Sequence, residues 1–294
     1  MIGIELGQPA VTMRRADPLP LLIDVIENRY ERGGETASSF ASLTGSSFSR
    51  SGAGTALTTA GAVAAFATGV PRITDRGLLL EPAATNLLRH STALLNAVWL
   101  ADAGATAAAS PDVDPMGGTG AVRLTLNGGL KQWYQLVSAA AGSYVLSAYV
   151  KAASGTTNVR LNETHNTGYT PSANLALNTQ WQRLVFPFTI AGTLVNVALV
   201  TASGGVTSPI DAWGVQLEAG AGPTSPIITA GSAVTRGADI ASVVVPGGAS
   251  IYEATYGVAD TVVAGAVAPG STFDLVAGRP WVGVGKELKR LVMR

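Results

Sequence analysis

The feature that most constrains this chain is its repeated two-residue alternation of apolar and polar side chains, broken by glycine-rich turns. Ala121–Leu126 alternates cleanly, and Tyr144-Val145-Leu146-Ser147-Ala148-Tyr149-Val150-Lys151 is the strongest strand, rich in aromatic and β-branched residues and preceded by a glycine turn. Trp133–Val137, Asn158–Glu163, Trp181–Phe186, Leu194–Val200 and Ile210–Glu218 have the same short strand-like character. Seven or eight such segments predict a sandwich or jelly roll. No strand–helix rhythm and no long helical period occurs, which argues against a parallel α/β fold.

Composition narrows the function. Of 294 residues only 13% are charged, against about 25% in an ordinary globular protein. So little charge leaves few means of keeping copies apart, and an oligomer is expected. Lys and Arg number 19, as do Asp and Glu. The chain thus has no broad basic field for a nucleic-acid partner. It has no cysteine, which excludes disulfides and thiol nucleophiles and fits assembly in a reducing cytoplasm. The start, Met1-Ile2-Gly3-Ile4-Glu5, lacks the basic-then-apolar pattern of a signal peptide. The apolar run from Ala60 to Val70 is too short and glycine-broken to span a bilayer, so no membrane partner is expected.

Two blocks add specificity. One is Pro71-Arg72-Ile73-Thr74-Asp75-Arg76-Gly77-Leu78-Leu79-Leu80-Glu81-Pro82, continuing through Thr85-Asn86-Leu87-Leu88. The other is Trp213-Gly214-Val215-Gln216-Leu217-Glu218-Ala219-Gly220. Together with Pro223-Thr224-Ser225 and Val234-Thr235-Arg236-Gly237-Ala238-Asp239, they resemble a module of tailed-phage virion proteins of the tail-fibre and head-spike type. Pro226-Ile227 replaces the Tyr-Ile usual in that module. The resemblance covers roughly residues 45–240. It implies an all-β protein whose centre is an antiparallel, carbohydrate-binding-module-like jelly roll. It also implies a homotrimer, a place on the virion after synthesis in the host bacterial cytoplasm, and partners among other capsid or tail proteins and a host-surface glycan. The expected division is an N-terminal docking arm and lead-in over 1–83, the jelly roll over 84–235, and a separate small β unit over 236–294. Leu21–Ile26 is either a short helix or a strand, and the basic end, residues 280–294, a closing element or a solvated tail.

Catalysis finds little footing. His90 and His165 are the only histidines, and no Gly-x-Ser-x-Gly elbow exists. The acids cannot be paired from sequence into a glycosidase couple, so no enzyme, catalytic residue or cofactor is expected, and a polysaccharide depolymerase ranks last. Asp112 and Asp114 are too few for a calcium site, which takes six to eight oxygens, and no metal is expected. A sugar needs an aromatic ring for its apolar face and amides or charges for its hydroxyls. Trp133, Tyr134, Asn162, His165 and Tyr169 are the candidate glycan contacts. Trp133 and Tyr134 are adjacent on a strand and must face opposite sides.

Overall fold

The computed structural model describes residues 18–126, 130–201, 209–276 and 287–294. All regular structure within them is β, and every strand pair is antiparallel. The arm's first 17 residues and residues 280–286 of the basic end lie outside the described residues.

Two sheets make the central jelly roll. One has five strands, in the order Ala105–Ala109, Val122–Leu126, Ile210–Ala219, Gly142–Ala152 and Gln182–Ile190. The other begins Trp99–Ala101, Gln132–Ala139, Leu194–Thr201 and Thr157–His165. Two short strands, Gly168–Pro171 and Leu175–Leu177, share its last edge. The inward side chains of both sheets form one core, among them Leu124, Leu146, Val150 and Leu217 from the first and Val159, Leu161, Val197 and Leu199 from the second. Each such side chain, fully buried, contributes about 1.5–3 kcal/mol.

A second core lies outside the jelly roll, and both ends of the chain build it. Leu21–Asp24 pairs with Arg29–Arg32 on one side and with Glu287–Met293 on the other. The latter also pairs with Ile251–Tyr256, whose outer neighbour is Thr261–Ala266. Leu21, Ile23, Tyr30, Leu78, Leu291 and Met293 are buried here against Ala241 and Val243. Leu21–Asp24 is therefore a strand. Ile251–Tyr256, Thr261–Ala266 and Glu287–Met293 share a sheet with Leu21–Asp24, and Ala241, Val243 and Leu275 share its core. The basic segment Glu287–Met293 is an interior strand, paired on both sides with Leu288, Leu291 and Met293 buried, while Lys289 meets Asp260 at 2.6 Å and Arg290 meets Asp24 at 3.3 Å.

The sequence blocks singled out above build the junction between the two cores. Gly77 turns the hairpin of Arg72–Thr74 and Gly77–Leu79 at φ +120°, and a Cβ there would sit 2.6 Å from the Leu288 carbonyl oxygen, a position only glycine tolerates. Asn86 is fully buried. Its amide donates to the Val215 and Ile227 carbonyls, while its oxygen accepts from the Leu88 and Leu217 N–H groups. Arg72 reaches Glu81 at 2.8 Å, Ser225 at 2.6 Å and also Asp239. Asp239 in turn accepts from Arg50 at 3.2 Å, and Arg236 lies 3.3 Å from Glu81. Burial pushes the Arg236 and Arg50 guanidinium groups down from their usual range, against the pull of the neighbouring carboxylates. Ile227 donates its N–H to Gln216 at 2.6 Å, and the Pro226 carbonyl accepts from Thr55, so this connector is held without the missing tyrosine.

Candidate functional site

The middle of the outer face of the five-stranded sheet is covered, while Val185 on its edge strand stays exposed. At Gly214, with φ +62°, the strand Ile210–Ala219 changes phase. Trp213 thereby turns away from the central core to meet Tyr149 edge-on at 5.7 Å, beneath Val63 of the hairpin Gly54–Leu57 and Val63–Phe66. Gln216 and Glu218 also turn outward, under Thr224, Ser225 and Ile227. Burial raises the Tyr149 phenol above its usual range.

The outer face of the six-stranded sheet carries the candidate site. Cross-strand partners share a face, so the register assigns its side chains. One row reads Leu100, Tyr134, Ala198, Asn162, Pro171. The next reads Leu136, Asn196, Thr164, Tyr169. A third holds Gln132, Val200 and Arg160. The rim is exposed, with Leu136 at 54% and Tyr169 at 67%. The middle is recessed, with Asn162 at 5% and Ala198 and Val200 also buried, although all three point away from the core.

Two features mark the recess. The Oδ1 atoms of Asn162 and Asn196 are buried and accept no hydrogen bond. Such orphan groups are uncommon in folded proteins and ask for an explanation. The two residues are diagonal neighbours on adjacent strands, about 7–8 Å apart. Tyr134 and Tyr169 flank them three strands apart, roughly 15 Å by strand spacing. Among the side chains of these rows Arg160 is the one cation, bonded to Asn174 at 2.7 Å, and none is a carboxylate. The face thus offers aromatic rings and amide acceptors with no negative charge beside them, suited to a ligand with apolar C–H faces and hydroxyl donors.

The sequence-derived candidates divide accordingly. Tyr134, Asn162 and Tyr169 come together on this face. Trp133 does not: it is 9% exposed, packs in the jelly-roll core and donates its indole N–H to the Leu94 carbonyl at 3.2 Å. His165 lies on the opposite side of its strand from Asn162 and Thr164, bonded through Nδ1 to Glu163 at 2.9 Å, and Glu163 is fully buried. His165 is thus on the other side of the sheet from Tyr169 and Asn162, and the nearby Asn166 accepts from the Thr193 N–H. Asn196 and Thr164 were missed. Only the register places them beside Asn162, and a lone Asn within Leu194–Val200 carries no sign of its own.

The remaining acids have structural partners. Asp114 accepts from the Met116, Gly118 and Gly120 N–H groups. Asp112 takes Lys151 at 2.6 Å, and Asp211 takes Arg123 at 2.9 Å. Among the described residues no group of three metal-ligating side chains occurs. His90 sits in a turn with φ +51°, its carbonyl accepting from Trp99.

No family model and no curated protein matches this chain. Among solved structures it is similar to the CBM22-1 xylan-binding domain of Paenibacillus barcinonensis Xyn10C, at 15% identity and TM-score 0.39, over 47% of this chain and 97% of that one. It is also similar to the family 11 carbohydrate-binding module of Clostridium thermocellum in complex with a β-1,3-1,4-mixed-linked tetrasaccharide, at 12% identity and TM-score 0.31, over 48% of this chain and 98% of that one.

Proposed function

We propose that this chain is a glycan-binding protein without catalytic activity, carried on the surface of a tailed-phage virion and directed at host-surface polysaccharide. The observation that carries the binding reading is the pair of unpartnered acceptors, Asn162 and Asn196, recessed between Tyr134 and Tyr169 on the open sheet face. Sugar hydroxyls are donors of the right kind, and a sugar's C–H face stacks on a phenol ring. The virion setting rests on the order of the sequence blocks. The non-catalytic reading is supported by the carboxylates of the jelly roll, where Asp112, Asp114, Glu163, Asp211 and Glu218 each have a structural partner.

The test is saturable binding of the purified protein to intact host-type cells and to their extracted polysaccharide. Tyr134→Ala and Tyr169→Ala should each weaken binding at least tenfold while Trp133→Phe leaves it in place. A well-folded protein that binds neither cells nor polysaccharide would overturn this reading and turn attention to an assembly role within the particle.

A further inference from the structure

Among the described residues, the sheet built around Leu21–Asp24 ends on Thr261–Ala266. Val267 donates its N–H to the Ser250 carbonyl at 2.9 Å. Antiparallel pairing alternates, so the N–H and C=O groups of Thr261, Val263 and Gly265 point toward Ile251–Tyr256, and those of Val262, Ala264 and Ala266 point outward. Val262 (56% exposed), Ala264 and Ala266 are exposed, as is Ile251 beside them. From Thr261 to Phe273 no residue is ionisable. Edge strands are normally blunted by charge, proline or brevity. The edge strand Gln182–Ile190 has Arg183 and Pro187, Gly168–Pro171 ends on a proline, and Glu35–Ala37 is three residues long and starts with a glutamate. Ala105–Ala109 is uncharged too, but its Ala105 N–H is already spent on the Asp102 carbonyl; Thr261–Ala266 has none of these devices.

We infer that Thr261–Ala266 pairs antiparallel with the same strand of a second copy of this chain. An outward row of backbone donors and acceptors is a template for another strand, and a strand without charge meets no like-charge repulsion from its own copy. Two-fold symmetry centres the contact on Ala264. Ala264 faces Ala264, and Val262 faces Ala266 at both ends, so three hydrogen-bonded pairs supply six N–H···O=C bonds. The small side chains at the axis let the sheets join without a clash. This contact is self-complementary and closes with two chains, unlike the trimer expected from the family resemblance.

The chain has no cysteine, so Ala264→Cys carries a single thiol. Facing residues of a hydrogen-bonded pair have Cα atoms about 5.5 Å apart, within disulfide reach. Under mild oxidation this variant should form a covalent dimer, and Val263→Cys, which points into the sheet's other side, should not. Light scattering of the unmodified protein should give two chains, twice 29.8 kDa. Ala264→Glu, which sets two carboxylates face to face at an exposed position, should weaken the dimer at least tenfold with an unchanged far-UV spectrum. A monomer or a trimer at 100 µM, or equal cross-linking through residues 263 and 264, would overturn the inference.

Discussion

Arg72 and Asp239, 167 residues apart in the chain, form an ion pair in which neither side chain has any exposed surface. Arg50 and Glu81 join it from either side, so the pair ties the connector after the jelly roll to the hairpin before it. Removing one member of such a group leaves a charge buried without compensation, which costs about 3–5 kcal/mol. Asp239→Ala should therefore lower the free energy of unfolding in urea by about that amount. A loss under about 1 kcal/mol would mean that water reaches these guanidinium groups.

Trp133 and Tyr134 are neighbours with opposite tasks. Trp133→Ala empties part of the jelly-roll core and should cost about 3–5 kcal/mol of stability. Tyr134→Ala removes a partly exposed ring from the open face and should stay within about 1 kcal/mol of the parent while weakening polysaccharide binding. Paired melting and binding measurements separate the two. Equal stability losses would place both rings in the core.

Asp75 predicts a pH dependence. It accepts from the Thr59 hydroxyl and from the Thr59 N–H at 2.9 Å, and these bonds hold its carboxyl below the usual carboxylate range. Its folded value thus lies below its unfolded one, about 3.9. The stability this provides is complete above that unfolded value and disappears as pH falls through the folded value. Asp75→Asn should be less stable than the parent at pH 6, and the gap should shrink as pH falls below the usual carboxylate range. A gap of constant size would show that the amide and the carboxylate bond Thr59 equally.

Much of the jelly roll was legible in the sequence because period-two alternation is a local property. Ala121–Leu126 shows it in six residues, and the structure pairs Val122–Leu126 on both sides. Alternation also required Trp133 and Tyr134 to face opposite ways, yet could not say which met the core, since that depends on the neighbouring strand's Val197 and Leu199. The phase change at Gly214 was hidden for a similar reason. Every residue from Ile210 to Glu218 is buried, so no polar position marks the shift. The C-terminal strand was obscured by its charge. Lys289 and Arg290 resemble a solvated tail until Asp260 and Asp24, distant in sequence, are brought beside them. Asn86, Glu81 and Ser225 could be noted as motif residues, but their joint burial arises only where both chain ends meet the sandwich.

Asn162 offers the sharpest separation of binding from folding. Its Oδ1 is buried without a donor, a state that costs about 1–3 kcal/mol relative to a satisfied or absent group. Asn162→Ala removes that cost along with the amide, so the variant should melt at the same temperature as the parent or higher. If a glycan hydroxyl supplies the missing donor, the same substitution should weaken binding by up to about tenfold, the worth of one hydrogen bond of 0.5–1.5 kcal/mol. Asn196→Ala should behave alike, and the double variant should lose more affinity than either. Thermal melts and polysaccharide titrations on the four proteins decide the matter. Variants that bind as well as the parent would remove both amides from the site, and variants that melt lower would show that these amides hold the fold.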